Sequence, residues 1–264
     1  MPRSIVVPLD GSTLAERAVQ VAAPLAERVG ADIELLTTRW LNDNRSPRKY
    51  LDCVAGFLGD PRFSTVVDGE RTAVDAIQHA AEAGGETLVC MTTHGRGRFR
   101  WAALGSVTEQ VIRHSSKPIL LVGPHGEPTW SRDPGALVVC VDDSGVAERE
   151  VEEACDWADA LDREMTIVHV SHPLDPEDLV DARRMLGSLR DLVATRGIAV
   201  KTHEITSTSV AGSLVDLAEE SGASMIVMAA HGRRGLARIA LGSVTMGVVN
   251  ASTSPVLVIP PGAE

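Results

Sequence analysis

Two stretches of this chain carry the residue types best suited to chemistry, and they are versions of one another. The first runs His94-Gly95-Arg96 and on to Leu104-Gly105-Ser106-Val107-Thr108; the second runs His231-Gly232-Arg233 and on to Leu241-Gly242-Ser243-Val244-Thr245. In both, nine residues separate the first glycine from the Gly-Ser pair. Each Gly-Ser pair opens a helix-like segment, and the first turn of a helix has backbone N–H groups without partners and a partial positive charge. A phosphate placed there satisfies both. Glycine ahead of the helix permits close approach and a positive φ, and the Ser and Thr hydroxyls add donors. The loops are basic, with Arg96, Arg98 and Arg100 in one and Arg233, Arg234 and Arg238 in the other. A purely structural role stands against phosphate binding, because Ser106-Val107-Thr108-Glu109 has the form of a capping box. The second copy has Met246 where the box wants Glu or Gln, so capping accounts for one copy better than for the other.

The elements that must position these loops follow from the pattern of apolar residues. The first half reads as strand Ser4 to Leu9, helix Thr13 to Val29, strand Ile33 to Thr38, helix Lys49 to Leu58, strand Phe63 to Val67 and helix Thr72 to Ala83. Strand Thr87 to Met91, the glycine loop, helix Ser106 to His114 and strand Ile119 to Val122 complete it. After a Pro- and Gly-rich linker at 124–135 the order restarts. Strand Ala136 to Val141, helix Val146 to Leu161, strand Met165 to Val170, helix Pro176 to Thr195 and strand Ile198 to Ile205 come first. Helix Val210 to Glu220, strand Ser224 to Met228, the second loop, helix Ser243 to Asn250 and strand Val256 to Ile259 follow.

The two halves are in register. Asp10 and Asp142 are 132 residues apart, as are Ile33 and Met165, whereas Gly95 and Gly232, and Pro118 and Pro255, are 137 apart. One insertion of five residues between about Leu41 and Phe63 explains the shift, in a tandem duplication of domains 1–123 and 136–264. Strands that alternate with helices and are apolar on both faces imply an open α/β fold, a parallel sheet covered on both sides. Such sheets take ligands where the strand order reverses. There the first strand of each half ends in a carboxylate, Asp10 or Asp142. It suits hydrogen bonds to ribose hydroxyls or a base; capping of the next helix is the alternative. Ligand contact is the preferred reading, since Ser12 and Thr13 offer other caps.

Composition narrows the function classes. A net charge of −11 argues against general nucleic-acid binding and against adsorption to anionic membranes. The apolar runs are far short of a membrane span, and Met1-Pro2-Arg3-Ser4 leads straight into a strand with no secretory pattern. The four cysteines, Cys53, Cys90, Cys140 and Cys155, show no metal or redox spacing. A cytoplasmic protein is expected.

These residues resemble the universal stress protein family in its tandem two-domain form. The resemblance covers nearly the whole chain, twice. It rests on Val-Pro-Leu-Asp-Gly-Ser at the first strand end, on the loop Thr-His-Gly-Arg…Leu-Gly-Ser-Val-Thr, and on the terminal strands Pro-Ile-Leu-Leu-Val and Pro-Val-Leu-Val-Ile. Nucleotide-binding members carry Gly-x2-Gly-x9-Gly-[Ser/Thr]. Here the second and third elements stand in both halves, while Thr92 and Ala229 replace the first glycine. The resemblance implies two five-stranded parallel-sheet domains of the adenine nucleotide alpha-hydrolase-like, doubly wound type, paired about a pseudo-twofold axis through antiparallel final strands. It implies ATP as the ligand, with Mg2+ as an optional companion. Asp10 and Asp142 would contact the adenosine part. Pro8, Cys140, Thr37 and Val168 or His169 would line the adenine pocket. Thr92, Gly95, Arg96, Gly97, Arg98, Gly105, Ser106, Val107 and Thr108 would hold ribose and phosphates. In the second half that part falls to Ala229, Gly232, Arg233, Arg234, Gly235, Gly242, Ser243, Val244 and Thr245.

Nothing in the chain points to an enzyme. There is no Gly-x4-Gly-Lys-[Ser/Thr], and Ser12, Ser106 and Ser243 lie outside any Gly-x-Ser-x-Gly elbow. His94 and His231 are the only candidates for a base, and a loop role suits them better. An ATP-binding stress-response or regulatory protein, acting through conformation or partner contacts with little or no hydrolysis, is the leading expectation. A nucleotide-free interaction module of the same fold, and more remotely a slow ATPase, are the alternatives. Pairing of the two domains is expected, with a homodimer as an option.

Overall fold

A computed structural model of the chain describes residues 1–39, 46–83, 85–94, 104–126, 135–143, 145–174, 176–230 and 241–260. The first half contains β1 (Ser4–Pro8), α1 (Thr13–Val29), β2 (Asp32–Thr38), α2 (Pro47–Leu58), β3 (Phe63–Asp68), α3 (Ala73–Ala83), β4 (Thr87–Thr92), α4 (Ser106–His114) and β5 (Ile119–Val122). The second repeats that order with β6 (Leu137–Cys140), α5 (Ala147–Leu161), β7 (Met165–Ser171), α6 (Pro176–Thr195), β8 (Val200–Thr206), α7 (Val210–Glu220), β9 (Met225–Ala229), α8 (Ser243–Ala251) and β10 (Val256–Ile259). The expected elements therefore form, with ends displaced by one or two residues. The longer helix of the second half is α6, with 20 residues against 12 in α2, between the strands where the five-residue insertion was expected.

Local chemistry sets these boundaries. Ser12 caps α1 by accepting from the Ala15 N–H at 3.2 Å, and Gly30 ends the helix at φ 71°. Between them Ala15, Ala18, Val19, Ala22, Leu25 and Ala26 are buried along one stripe, at the spacing of a helix that covers a sheet.

The strands form one sheet in the order β3-β2-β1-β4-β5-β10-β9-β6-β7-β8. Every neighbouring pair is parallel except β5 and β10. Side chains alternate between two apolar layers. Ile5, Val7, Ile33, Leu35 and Cys90 face α1, while Val6, Leu36, Val89 and Met91 face α3 and α4, and the second half repeats the division. The halves join where Ile119, Leu120 and Leu121 oppose Val258, Leu257 and Val256. All six are buried, so the seam is interior rather than a loose domain contact.

Strand order reverses between β1 and β4, and again between β6 and β9. These two switch points differ. The β6–β9 ladder runs from Leu137↔Met225 to Cys140↔Met228, whereas the β1–β4 ladder stops at Val6↔Val89. The cause is Pro8, the counterpart of Cys140. The Leu9 N–H points to Leu36 O on the β2 side at 2.8 Å, so residue 8 is the one turned toward β4. Proline has no N–H to offer there, and the β1–β4 ladder ends two rungs earlier than its counterpart.

Candidate functional site

A cavity of about 470 Å3 occupies the first switch point. Pro8, Leu9 and Asp10 reach it from the end of β1, Thr37 and Thr38 from β2, Thr92 and His94 from β4, and Gly105 to Thr108 from the start of α4. Eight first-half residues expected at a binding site thus share one crevice: Pro8, Asp10, Thr37, Thr92, Gly105, Ser106, Val107 and Thr108. Gly95, Arg96, Gly97 and Arg98 lie outside the described residues. The apolar wall from α3, Ala73 and Ile77, was not read as part of a site; its only sequence signal is an ordinary buried helical stripe.

The mouth of α4 differs from the capping box. Gly105, not Ser106, is the N-cap, and no side chain caps the helix. Glu109, which the box would fold back, accepts from Arg113 Nη2 at 2.6 Å instead. An i,i+4 ion pair has taken the carboxylate, and Ser106 is exposed at the first helical position. The role of the glycine is also corrected. Its φ is −61°, which any residue adopts, but a Cβ there would stand 3.0 Å from Thr93 O. Gly105 favours close approach, because its N–H donates to that same carbonyl at 2.8 Å and a Cβ would crowd it. The Thr108 hydroxyl donates to Thr92 O at 3.2 Å, tying the helix to the strand end. The first turn of α4, Ser106 to Thr108, lines the cavity.

Across the crevice, Asp10 is not a cap. Its Oδ1 accepts from the Ser12 backbone N–H at 3.0 Å and from Ser12 Oγ at 2.6 Å, which holds the carboxylate at the cavity rim. The Thr37 hydroxyl donates to Leu9 O, closing the floor between β1 and β2. His94 pairs through Nδ1 with Thr93 Oγ1 at 2.9 Å, while its Nε2 is buried and has no partner among the described residues.

The second half repeats this framework. Gly242 is the uncapped N-cap of α8, at φ −64°. Its N–H donates to Ala230 O at 2.7 Å, and the Thr245 hydroxyl donates to Ala229 O at 3.0 Å. Cys140 and Asp142 stand at the end of β6, and Ser243 and Val244 open α8. Val168 packs in the apolar core. The residue that matches Thr37 is His169, whose Nδ1 lies 3.0 Å from Val141 O, the counterpart of Leu9 O. Gly232, Arg233, Arg234 and Gly235 lie outside the described residues, as does His231. One residue had no place in the sequence reading. Glu150 on α5 is 2% exposed, and burial, reinforced by the neighbouring Asp142 carboxylate, pushes its carboxyl up to about 8. Its counterpart in the first half is Ala18.

Comparison with known proteins places this architecture. The sequence pattern described as the universal stress protein family matches residues 55–123 and 135–260. A universal stress protein of Mycobacterium tuberculosis (strain H37Rv) is 28% identical over 187 residues, covering 65% of this chain and 58% of that protein. The match thus spans little more than half of the relative's length. Among solved structures, a functionally unknown protein from Pseudomonas aeruginosa PAO1 superposes with a TM-score of 0.71 at 19% identity, over 98% of this chain and 93% of that one. A universal stress protein from Archaeoglobus fulgidus gives 0.68 at 22% identity, over 98% and 96%. At these identities the likeness is one of fold.

Proposed function

We propose a nucleotide-binding, regulatory role for this chain, which belongs to the universal stress protein family. The observation that carries the proposal is the first crevice. It is a cavity of about 470 Å3 with an apolar wall, a carboxylate at one rim and an uncapped helix N-terminus at the other. Those features match the parts of ATP. The wall of Ala73, Ile77, Met91 and Val107 suits the base, Asp10 suits ribose hydroxyls, and the N–H groups of Ser106 to Thr108 suit a phosphate. An accompanying Mg2+ would be held chiefly by the phosphates. His94 Nε2 is placed to hydrogen-bond the ligand. We assign it binding rather than catalysis, since none of the crevice residues named here is set to activate water. The protein would then act by changing conformation or contacts when loaded. The free cysteines suit a reducing, cytoplasmic setting.

The test is the nucleotide content of freshly purified, acid-quenched protein, together with thermal stabilisation on adding ATP. Bound ATP, or a rise in Tm that is lost in Gly105→Val, supports the reading. Its absence in both assays sinks it and leaves an interaction module.

A further inference from the structure

The two glycine loops leave their strands on the same backbone frame but not with the same side chains. Thr93 donates its N–H to Val122 O at 3.2 Å, and its carbonyl accepts from Gly105. Ala230 likewise donates to Ile259 O at 2.8 Å and accepts from Gly242. The frame therefore forms with or without hydroxyl groups. The first half adds two. Thr92 Oγ1 donates to His94 O at 2.8 Å, and Thr93 Oγ1 lies 2.9 Å from His94 Nδ1. Ala229 and Ala230 stand at these positions in the second half, so neither bond can form there. His94 is thus held by its backbone and by its ring where the chain leaves β4 for the glycine loop. Together with Thr92 it lines the cavity.

The bond to the ring decides more than position. Thr93 is 1% exposed, so its hydroxyl proton needs an acceptor within the protein. Among the described residues His94 Nδ1 is the partner that hydroxyl has. A ring nitrogen that accepts carries no proton, which leaves the imidazole proton on Nε2. Nε2 is itself buried and has no partner among the described residues. A donor kept from water gains most from a charged acceptor, and of the parts of a nucleotide only the phosphates supply one. We infer that Thr93 is a positioning residue of the first crevice: it fixes His94 in the tautomer with the proton on Nε2, as a donor to a phosphate oxygen of the nucleotide. The second half, with Ala230, has no hydroxyl at this place to set the tautomer of His231. This rests on the nucleotide reading above and adds to it the residue that prepares the donor.

The experiment is nuclear magnetic resonance of the full chain, nitrogen-labelled at its eight histidines, at mildly alkaline pH, first without ATP and then through an ATP titration. The His94 ring is identified by the signals lost in His94→Gln. In the free chain it should carry its proton on Nε2 alone, and Thr93→Ser should keep that pattern. Thr93→Val should show the proton shared between the two nitrogens. ATP should move the His94 Nε2 signal, which reports the first crevice separately from the second. The affinity read from that signal should fall about tenfold in Thr93→Val, the loss expected for one hydrogen bond to a charged group, and stay within about twofold in Thr93→Ser. A proton on Nδ1 in the unmodified chain overturns the inference, as does a Thr93→Val chain that keeps the proton on Nε2 alone. ATP binding, shown by thermal stabilisation, that leaves the His94 signals or the affinity of Thr93→Val unchanged overturns it too. In each of these cases the nucleotide reading stands. No ATP binding by either measure overturns both.

Discussion

Glu150 carries a consequence for stability that does not need a ligand. Its carboxyl is raised from about 4.5 to about 8 in the folded chain, by burial first and by Asp142 second. The folded state therefore holds a proton that the unfolded state has released, and stability falls as pH rises between those two values. The slope is at most ~1.4 kcal/mol per pH unit. Glu150→Gln should flatten the dependence of Tm on pH across this window, as read by calorimetry without ATP; an unchanged slope would show that the carboxyl is ionised at neutral pH. None of this was legible in sequence. Glu150 reads there as one more acid in a helix beginning Ala-Glu-Arg-Glu-Val-Glu-Glu, and only burial sets it apart from Glu148 or Glu152. Thr108 and Thr245 show the opposite case. Both were read as site residues from the motif, and both hydroxyls donate to the carbonyl at the end of the preceding strand.

At the scale of elements, α1 and α4 start differently, and the difference defines the crevice. α1 is capped by Ser12, which also donates its N–H and its hydroxyl to Asp10 Oδ1. Ser12→Ala should cost about 1 kcal/mol, the usual loss of an N-cap, as measured by urea unfolding. It should also weaken ATP binding, because Asp10 Oδ1 loses the hydroxyl donor and keeps the Ser12 N–H; a stability loss with unchanged affinity would show that Asp10 is held without the hydroxyl. α4 keeps its first-turn N–H groups uncapped because its N-cap, Gly105, has no side chain, and Glu109 is drawn to Arg113. The Ser-x-x-Glu spacing was visible in the chain, but whether the Glu folds back or reaches forward depends on competition between two local partners. The strand ends behave similarly. Pro8 was plainly there to read, yet its effect on the β1–β4 ladder appears only once β4 is known to lie beside β1.

At the scale of the whole molecule, the seam between β5 and β10 makes the two halves one body. Gly123, just past β5, lies so close to α8 that a Cβ there would stand 1.9 Å from Val249 O. Gly123→Ala should cost roughly 1–3 kcal/mol, the range for overpacking a tight contact. The loss should lower a single calorimetric transition, because the contact joins the halves. Two separated transitions in the unmodified chain would show instead that the halves unfold independently.

The duplication, its register, the order of elements and the likeness to a known family were determined by the sequence alone. Periodicity and spacing are local properties, and a repeat tests each of them twice. What the tertiary structure decided is how the copies differ. Pro8 against Cys140 and Ala18 against Glu150 are single-residue contrasts in a background of many, and nothing local marks them. They matter because the fold sets each in its own surroundings, the missing N–H as a shortened ladder between β1 and β4 and the buried acid as a carboxyl beside Asp142.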